Sequence, residues 1–263
     1  LSMKNIKNCP LCESELLRLG HGTERIEEVL SKIFPKSNIA RIDRDTTQKK
    51  DSMDKYLNKV HSGEIDILIG TQMIAKGHHF PKVTLAAIID ADRGLFSTDF
   101  RAGERLAQLF MQVSGRTGRG KREGMVIVQT YNPEHQLFHS LIKRGYNYLA
   151  QSLLKERKCS SLPPYSYMAL LRVEAHNILE IKRFIKHASI QLRQLSKSKL
   201  LLFGPVPAII EKHGGRFRYQ LIIQAANRKI LHDHLDEWLI NLEKTKNSKK
   251  VRWSLDIDPQ DMN

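Results

Sequence analysis

Gln112-Val-Ser-Gly-Arg-Thr-Gly-Arg119 sets two arginines three residues apart in a glycine-rich run. Just upstream, Leu106, Leu109, Phe110 and Val113 recur at helical spacing and form one apolar face. The arginines therefore stand at the C-terminal end of an anchored helix, where Gly115, Gly118 and Gly120 are expected to open the backbone. Two guanidiniums on a rigid support call for a dianionic partner, and a nucleoside triphosphate fits that description. An arginine that meets a transferring γ-phosphoryl group stabilises charge growing in the transition state, by roughly 10³–10⁵ in rate. Taken alone the run also reads as a plain basic turn, so the surrounding chain has to decide.

Outward from that run, helical and strand periodicities alternate. Ile26, Val29, Leu30 and Ile33 share a helix face over residues 23–34, which Pro35 ends. A short strand follows at 39–43. Thr46 or Thr47 then precedes a second helix with Met53, Tyr56, Leu57 and Val60 in register. Compact apolar stretches at 65–70, 83–90 and 124–130 read as further strands. This alternation predicts an α/β unit, a mostly parallel sheet with helices on both faces, with ligands at the carboxyl ends of the strands. Gly70-Thr-Gln-Met-Ile-Ala-Lys-Gly-His-His-Phe-Pro81 begins at such an end. There Thr71 offers a hydroxyl and a backbone N–H to a phosphate, Lys76 a point charge, and Gly77 a close backbone approach. His78 and His79 are open to DNA, nucleotide or solvent. Asp90-Ala-Asp92 ends the next strand and is read as orienting arginines rather than binding magnesium; Phe96 and Phe100 are read as core.

Residues 133–158 read as a helical connection that Pro163-Pro164 breaks. Beyond it come a strand (165–175), a helix (178–195), a strand (200–210), a tight turn at His213-Gly214-Gly215, a strand (216–225), a helix (229–242) and a strand (251–257). That β-α-β-β-α-β order is the split, ferredoxin-like arrangement. Ile178, Ile181, Ile185, Ala188, Leu192 and Leu195 form the helix stripe meant for its sheet. On the strand at 216–225, Arg216, Arg218 and Gln220 alternate with Phe217, Tyr219 and Leu221 and share one sheet face. Two arginines and an amide suit either a phosphate backbone or a peptide carboxylate. The expected boundaries are 1–20, 21–132, 133–162 and 163–263.

At 263 residues the chain has room for two cores. No apolar run approaches a membrane span and no signal peptide opens the chain, so the expectation is a cytoplasmic protein with no membrane partner. Lysine and arginine number 43 against 28 aspartate and glutamate, a net charge of +15. From Pro163 onward 17 basic residues face 10 acidic ones, so the surplus is distributed rather than held in a tail. Such a field favours a polyanion, above all nucleic acid. Three cysteines make no disulfide framework. Cys9-Pro-Leu-Cys12 supplies two thiolates where structural zinc needs four ligands. His21 is a doubtful third ligand. The pair is read as half a Zn²⁺ site in a chain that begins partway through a larger protein, and Cys159 as a structural thiol.

The residues also carry a resemblance. The run 112–119 resembles motif VI of superfamily-two helicases. The runs at 70–81, 90–101 and 104–109 resemble the replication-restart members of that superfamily. So do Gly22-Thr23-Glu24, the segments 41–47, 129–135, 162–165 and 204–208, and the closing 254–262. The resemblance implies a RecA-like second helicase lobe followed by the smaller domain, in an ATP-dependent DNA helicase that restarts stalled forks and loads the primosome. It implies that Arg116 and Arg119 reach ATP, with Arg119 the finger, and that Gln112 couples nucleotide to DNA. Thr71, Gln72 and Lys76 would grip the single strand. Arg216 and Gln220 would dock the acidic tail of the single-stranded-DNA-binding protein. Implied partners are forked and single-stranded DNA, that tail, and other primosome proteins. Implied cofactors are ATP and Mg²⁺, with Zn²⁺ at Cys9 and Cys12. The sequence holds no G-x-x-x-x-G-K-[ST] loop and no DE-x-H magnesium motif, so this chain is expected to be inactive alone. The competing reading is a non-catalytic DNA- or partner-binding module on the same scaffolds.

Overall fold

A computed structural model describes residues 22–43, 52–75, 80, 82–115, 117, 124–245 and 247–262. The chain divides into two compact units, Leu1–Ser97 with Arg101–Leu149, and Thr98–Phe100 with Ala150–Asn263. No helix among the described residues is long and apolar enough to cross a membrane.

The first unit is mixed α/β. It runs α1 (Thr23–Ile33), β1 (Ile39–Ile42), α2 (Ser52–Ser62), β2 (Ile67–Gly70), α3 (Gln72–Ala75), β3 (Leu85–Ile88), α4 (Asp92–Leu95), α5 (Ala102–Ser114) and β4 (Met125–Val128). Among the described residues β1 pairs with β2 and β3 with β4, both parallel, as separate two-stranded ladders. One continuous sheet was expected. Periodicity identifies strands but not which edges meet, because crossover helices set parallel pairing. Helix α1 packs on β1 and β2, and α5 on β3 and β4. Ile42, Ile69, Ile88, Leu106 and Ala107 are buried.

Two features fix this unit. At Gly70, a Cβ would lie 2.4 Å from the Ile42 carbonyl oxygen, so only glycine lets β2 approach β1 this closely. Between α1 and β1, Arg41 pairs with Glu24 at 3.2 Å and Glu27 at 3.1 Å and also with Asp43 at 2.9 Å, while the Thr23 hydroxyl donates to Asp43 at 2.9 Å. Partial desolvation alone would lower the Arg41 pKa, but Asp43, Glu24 and Glu27 outweigh it and hold it above its ordinary value.

Helix α6 (Gln136–Cys159) is interrupted at Gly145, whose φ of 80° and ψ of 173° are non-helical. The division between units falls within it, at Leu149 and Ala150. The second unit then runs β5 (Tyr167–Ala175), α7 (Ile178–Ser196), β6 (Leu201–His213), β7 (Arg216–Ala225), α8 (Arg228–Glu243), a 3₁₀ turn at Ser248–Lys250 and β8 (Arg252–Ile257). Its strands form one antiparallel sheet in the order β6-β7-β5-β8. Asn177 and Asn227 cap α7 and α8 by accepting from the Leu179 and Ile230 N–H groups.

Period-two alternation sorts the sheet residues. Ala169, Leu171, Val173, Tyr219, Leu221 and Ile223 join Ile181, Phe184, Ile185, Leu192, Leu231 and Trp238 in one core under the two helices. The Trp238 indole N–H donates to the Ala188 carbonyl at 3.0 Å. Gly214 and Gly215 both take positive φ, 56° and 78°, as a two-residue type I′ hairpin loop requires. Strand β6 extends three residues past its expected end, because register shifts around Pro207–Lys212 break the alternation that marks a strand in sequence.

Candidate functional site

In the first unit the C-terminal turn of α5 exposes Gln112, and α3, which carries Gln72 directly after Thr71, packs beside α5. Thr71 and Gln72 are exposed as well. The structure thus brings part of the strand-end motif and part of the glycine-rich motif onto neighbouring elements. Lys76, Arg116 and Arg119 lie outside the described residues, as do His78, His79, Cys9 and Cys12. Gly115 does not open the backbone: its φ of −70° is right-handed helical. The Thr117 hydroxyl donates to the Ser114 carbonyl at 3.2 Å and closes the helix end instead.

Asp92 departs from the expected role of orienting arginines. It is 5% exposed and accepts from the Thr130 hydroxyl at 2.9 Å, the Tyr131 N–H at 2.9 Å and the Asn132 amide at 2.8 Å. Burial alone would raise its carboxyl pKa, but these hydrogen bonds outweigh it and hold the group below the usual carboxylate range. Asp92 therefore ties the end of β3 to the residues after β4. Phe96 also differs from its expected core position: it is exposed, edge-on to His135 with centroids 6.2 Å apart. Phe100 lies under the Arg157 guanidinium, 5.0 Å from its ring centroid.

In the second unit, the sheet face turned away from α7 and α8 carries a cavity of about 280 Å³. Arg172, Glu174, Arg218, Gln220, Arg252 and Ser254 line it. The register explains the gathering: Arg172 stands opposite Gln220 and Ser254, and Glu174 opposite Arg218 and Arg252. Arg172 is engaged by Asp256 at 3.0 Å. Glu174 accepts from Arg216 at 3.4 Å and from Arg252 at 3.5 Å. Among the described residues Arg218 has no hydrogen bond or ion pair, and the Gln220 amide, on a residue only 9% exposed, has no side-chain partner. A free guanidinium beside an amide with no side-chain partner is poised to receive a carboxylate. Gln220 thus lines the cavity, while Arg216 stands at its edge, tied to Glu174. Arg172, Glu174 and Arg252 escaped the sequence reading, although their i, i+2 spacing on β5 and β8 is the signal that finds them.

Two family profiles match the chain. Residues 15–121 match the helicase conserved C-terminal domain, and residues 158–260 match the primosomal protein N C-terminal domain. A "Replication restart protein PriA" from Haemophilus influenzae is 42% identical over 257 residues, 97% of this chain and 35% of that protein. The chain corresponds to a C-terminal fragment of the PriA replication-restart proteins. Proteins of the same name from Bacillus subtilis and Rickettsia felis are 36% and 38% identical, over 95% and 98% of this chain. The chain spans 31% and 39% of those two, roughly a third of the curated relatives it matches. The helicase C-terminal domain implies a RecA-like second lobe, in keeping with the mixed α/β first unit. Among the described residues no group of three or more His, Cys, Asp or Glu side chains is arranged to hold a metal, and Cys159 is exposed and free.

Proposed function

We propose that this chain is the C-terminal part of an ATP-dependent DNA helicase that restarts stalled replication forks and loads the primosome in the cytoplasm. What carries the reading is the succession of a helicase C-terminal domain and a primosomal C-terminal domain along one chain. The exposure of Thr71, Gln72 and Gln112 on neighbouring elements of the first unit supports it.

In this reading Arg116 and Arg119 face a triphosphate bound by the first helicase lobe, with Arg119 the finger. Gln112 couples that pocket to DNA. Thr71, Gln72 and Lys76 grip the single strand of a fork. ATP with Mg²⁺ supplies the phosphoryl group to be transferred. The sequence holds neither the phosphate loop nor the DE-x-H magnesium motif, so the phosphate cradle and the ion fall to the first lobe. Cys9 and Cys12 are half of a Zn²⁺ module completed by ligands elsewhere in the full protein. The lobe occupies 21–132, the connection 133–162 and the closing domain 163–263. The strand order β6-β7-β5-β8, with α7 and α8 on one face, supports a ferredoxin-like assignment for that domain.

The purified chain is expected to hydrolyse no ATP. Addition of a separately produced first lobe and single-stranded DNA restores hydrolysis, which Arg119→Ala lowers by about 10³-fold or more. Hydrolysis by the chain alone that Arg119→Ala abolishes would overturn this division of labour.

The cavity of the second unit supports a partner-docking role in addition. Its unpaired Arg218 and buried Gln220 amide suit the acidic C-terminal tail of the single-stranded-DNA-binding protein, with Arg216 alongside. On its own, the chain would then behave as a non-catalytic DNA- and partner-binding module. A tail peptide that binds wild type and Arg216→Ala equally removes Arg216 from that role.

A further inference from the structure

The cavity in the second unit contains its own competitor. Glu174 is the one carboxylate among its lining residues, and it sits between guanidiniums on both neighbouring strands. One oxygen, Oε1, takes both contacts, Arg216 at 3.4 Å and Arg252 at 3.5 Å. Both are long for charge-assisted hydrogen bonds, which run about 2.7–2.9 Å, so Glu174 neutralises the pair without binding either arginine tightly. Its side chain is 31% exposed, within reach of an incoming anion. Arg218, directly opposite on β7, is left uncompensated, as is the amide of Gln220 two residues on.

We infer that Glu174 is a specificity-determining residue: its carboxylate occupies the Arg216 and Arg252 guanidiniums that a second ligand carboxylate needs, so it holds down the cavity's preference for multiply acidic peptides over singly acidic ones. This rests on the docking role proposed above. A lone carboxylate meets Arg218 and Gln220 without displacing anything. A peptide with two or more must draw Arg216 or Arg252 away from Glu174, and it recovers that loss only if it brings enough negative charge. Removing the Glu174 charge, with shape retained, frees both arginines. Affinity for a multiply acidic tail then rises, and the preference for several carboxylates sharpens.

The test uses the 263-residue chain and a fluorescein-labelled synthetic peptide of the single-stranded-DNA-binding protein's acidic tail. A second version has all but its terminal carboxylate converted to amides. Anisotropy titrations compare wild type, Glu174→Gln, Arg218→Ala and Glu180→Gln, the last removing one negative charge from α7 rather than from the cavity. Glu174→Gln is expected to bind the acidic tail about three- to tenfold more tightly. It is also expected to widen the preference for the fully acidic version, while Glu180→Gln leaves both unchanged. If Arg218→Ala weakens binding but Glu174→Gln does not strengthen it, or Glu180→Gln strengthens it equally, the inference about Glu174 is overturned and the docking site survives. If the tail binds neither wild type nor Glu174→Gln, or Arg218→Ala has no effect, the docking reading falls and the inference with it. Glu174→Asp, a shorter acid that withdraws from both arginines, provides a second variant with the same expected direction should the glutamine form fold poorly.

Discussion

Replacing Asp92 by alanine removes the acceptor for three donors at once: the Thr130 hydroxyl, the Tyr131 N–H and the Asn132 amide. A buried donor left without a partner costs about 1–3 kcal/mol. Water reaches part of this site once the carboxylate is gone, since Tyr131 itself is 76% exposed. The expected destabilisation is therefore about 2–4 kcal/mol for alanine, and about 1–2 kcal/mol for Asp92→Asn, which keeps one acceptor oxygen. The two tryptophans make the assay selective, because Trp238 and Trp253 both belong to the second unit. In urea titrations, far-UV circular dichroism should show an earlier first-unit transition in the variants. Tryptophan fluorescence should keep its wild-type midpoint. The pH dependence has a defined sign. The folded-state pKa of Asp92 is depressed, so its contribution is complete above the unfolded carboxyl value of about 3.9 and is lost as pH falls through the folded value. The gap between wild type and Asp92→Asn should thus be full at pH 7 and close in acid below about pH 3.9. A shift under about 0.5 kcal/mol, or a gap that widens on acidification, would refute the reasoning.

Other perturbations test other joints. Gly70→Ala forces a Cβ against the Ile42 carbonyl oxygen, and a loss of about 1–3 kcal/mol is expected in the same dichroism signal; a neutral effect would mean β1 and β2 separate at no cost. Trp238→Ala opens the core of the second unit and removes the donor to Ala188, for about 3–5 kcal/mol in thermal or urea unfolding. Arg218→Ala should leave the unfolding midpoint within about 0.5 kcal/mol of wild type, since that guanidinium has no internal partner among the described residues.

The second unit was the more legible in sequence, for a physical reason. Its sheet buries one face under two helices, so alternation in β5 and β7 and the α7 stripe from Ile181 to Leu192 each point to a single core. The first unit offers strands of four residues, too short for alternation to fix their ends, and parallel ladders whose pairing no local pattern encodes. Asp92 illustrates a second limit. A carboxylate after a strand reads in sequence as a partner for arginines, yet its three partners lie 38 to 40 residues away and give it a structural role. Glu174 illustrates a third, since its neighbours Arg218 and Arg252 come from two other strands and meet it only through register. The alternation of Arg216, Arg218 and Gln220, by contrast, is local, and it pointed to the face that carries the cavity.

The clasp around Arg41 gives α1 an unusual dependence on solution conditions. No residue of that helix is fully buried, so much of its attachment to β1 runs through Glu24 and Glu27 rather than through apolar contact. Mobile ions screen such contacts far more than they screen a packed core. Raising the electrolyte concentration should therefore release α1 ahead of the rest of the first unit. In amide exchange this would register as a selective gain of deuterium over Thr23–Ile33, while α7, seated on its greasy stripe, keeps its protection.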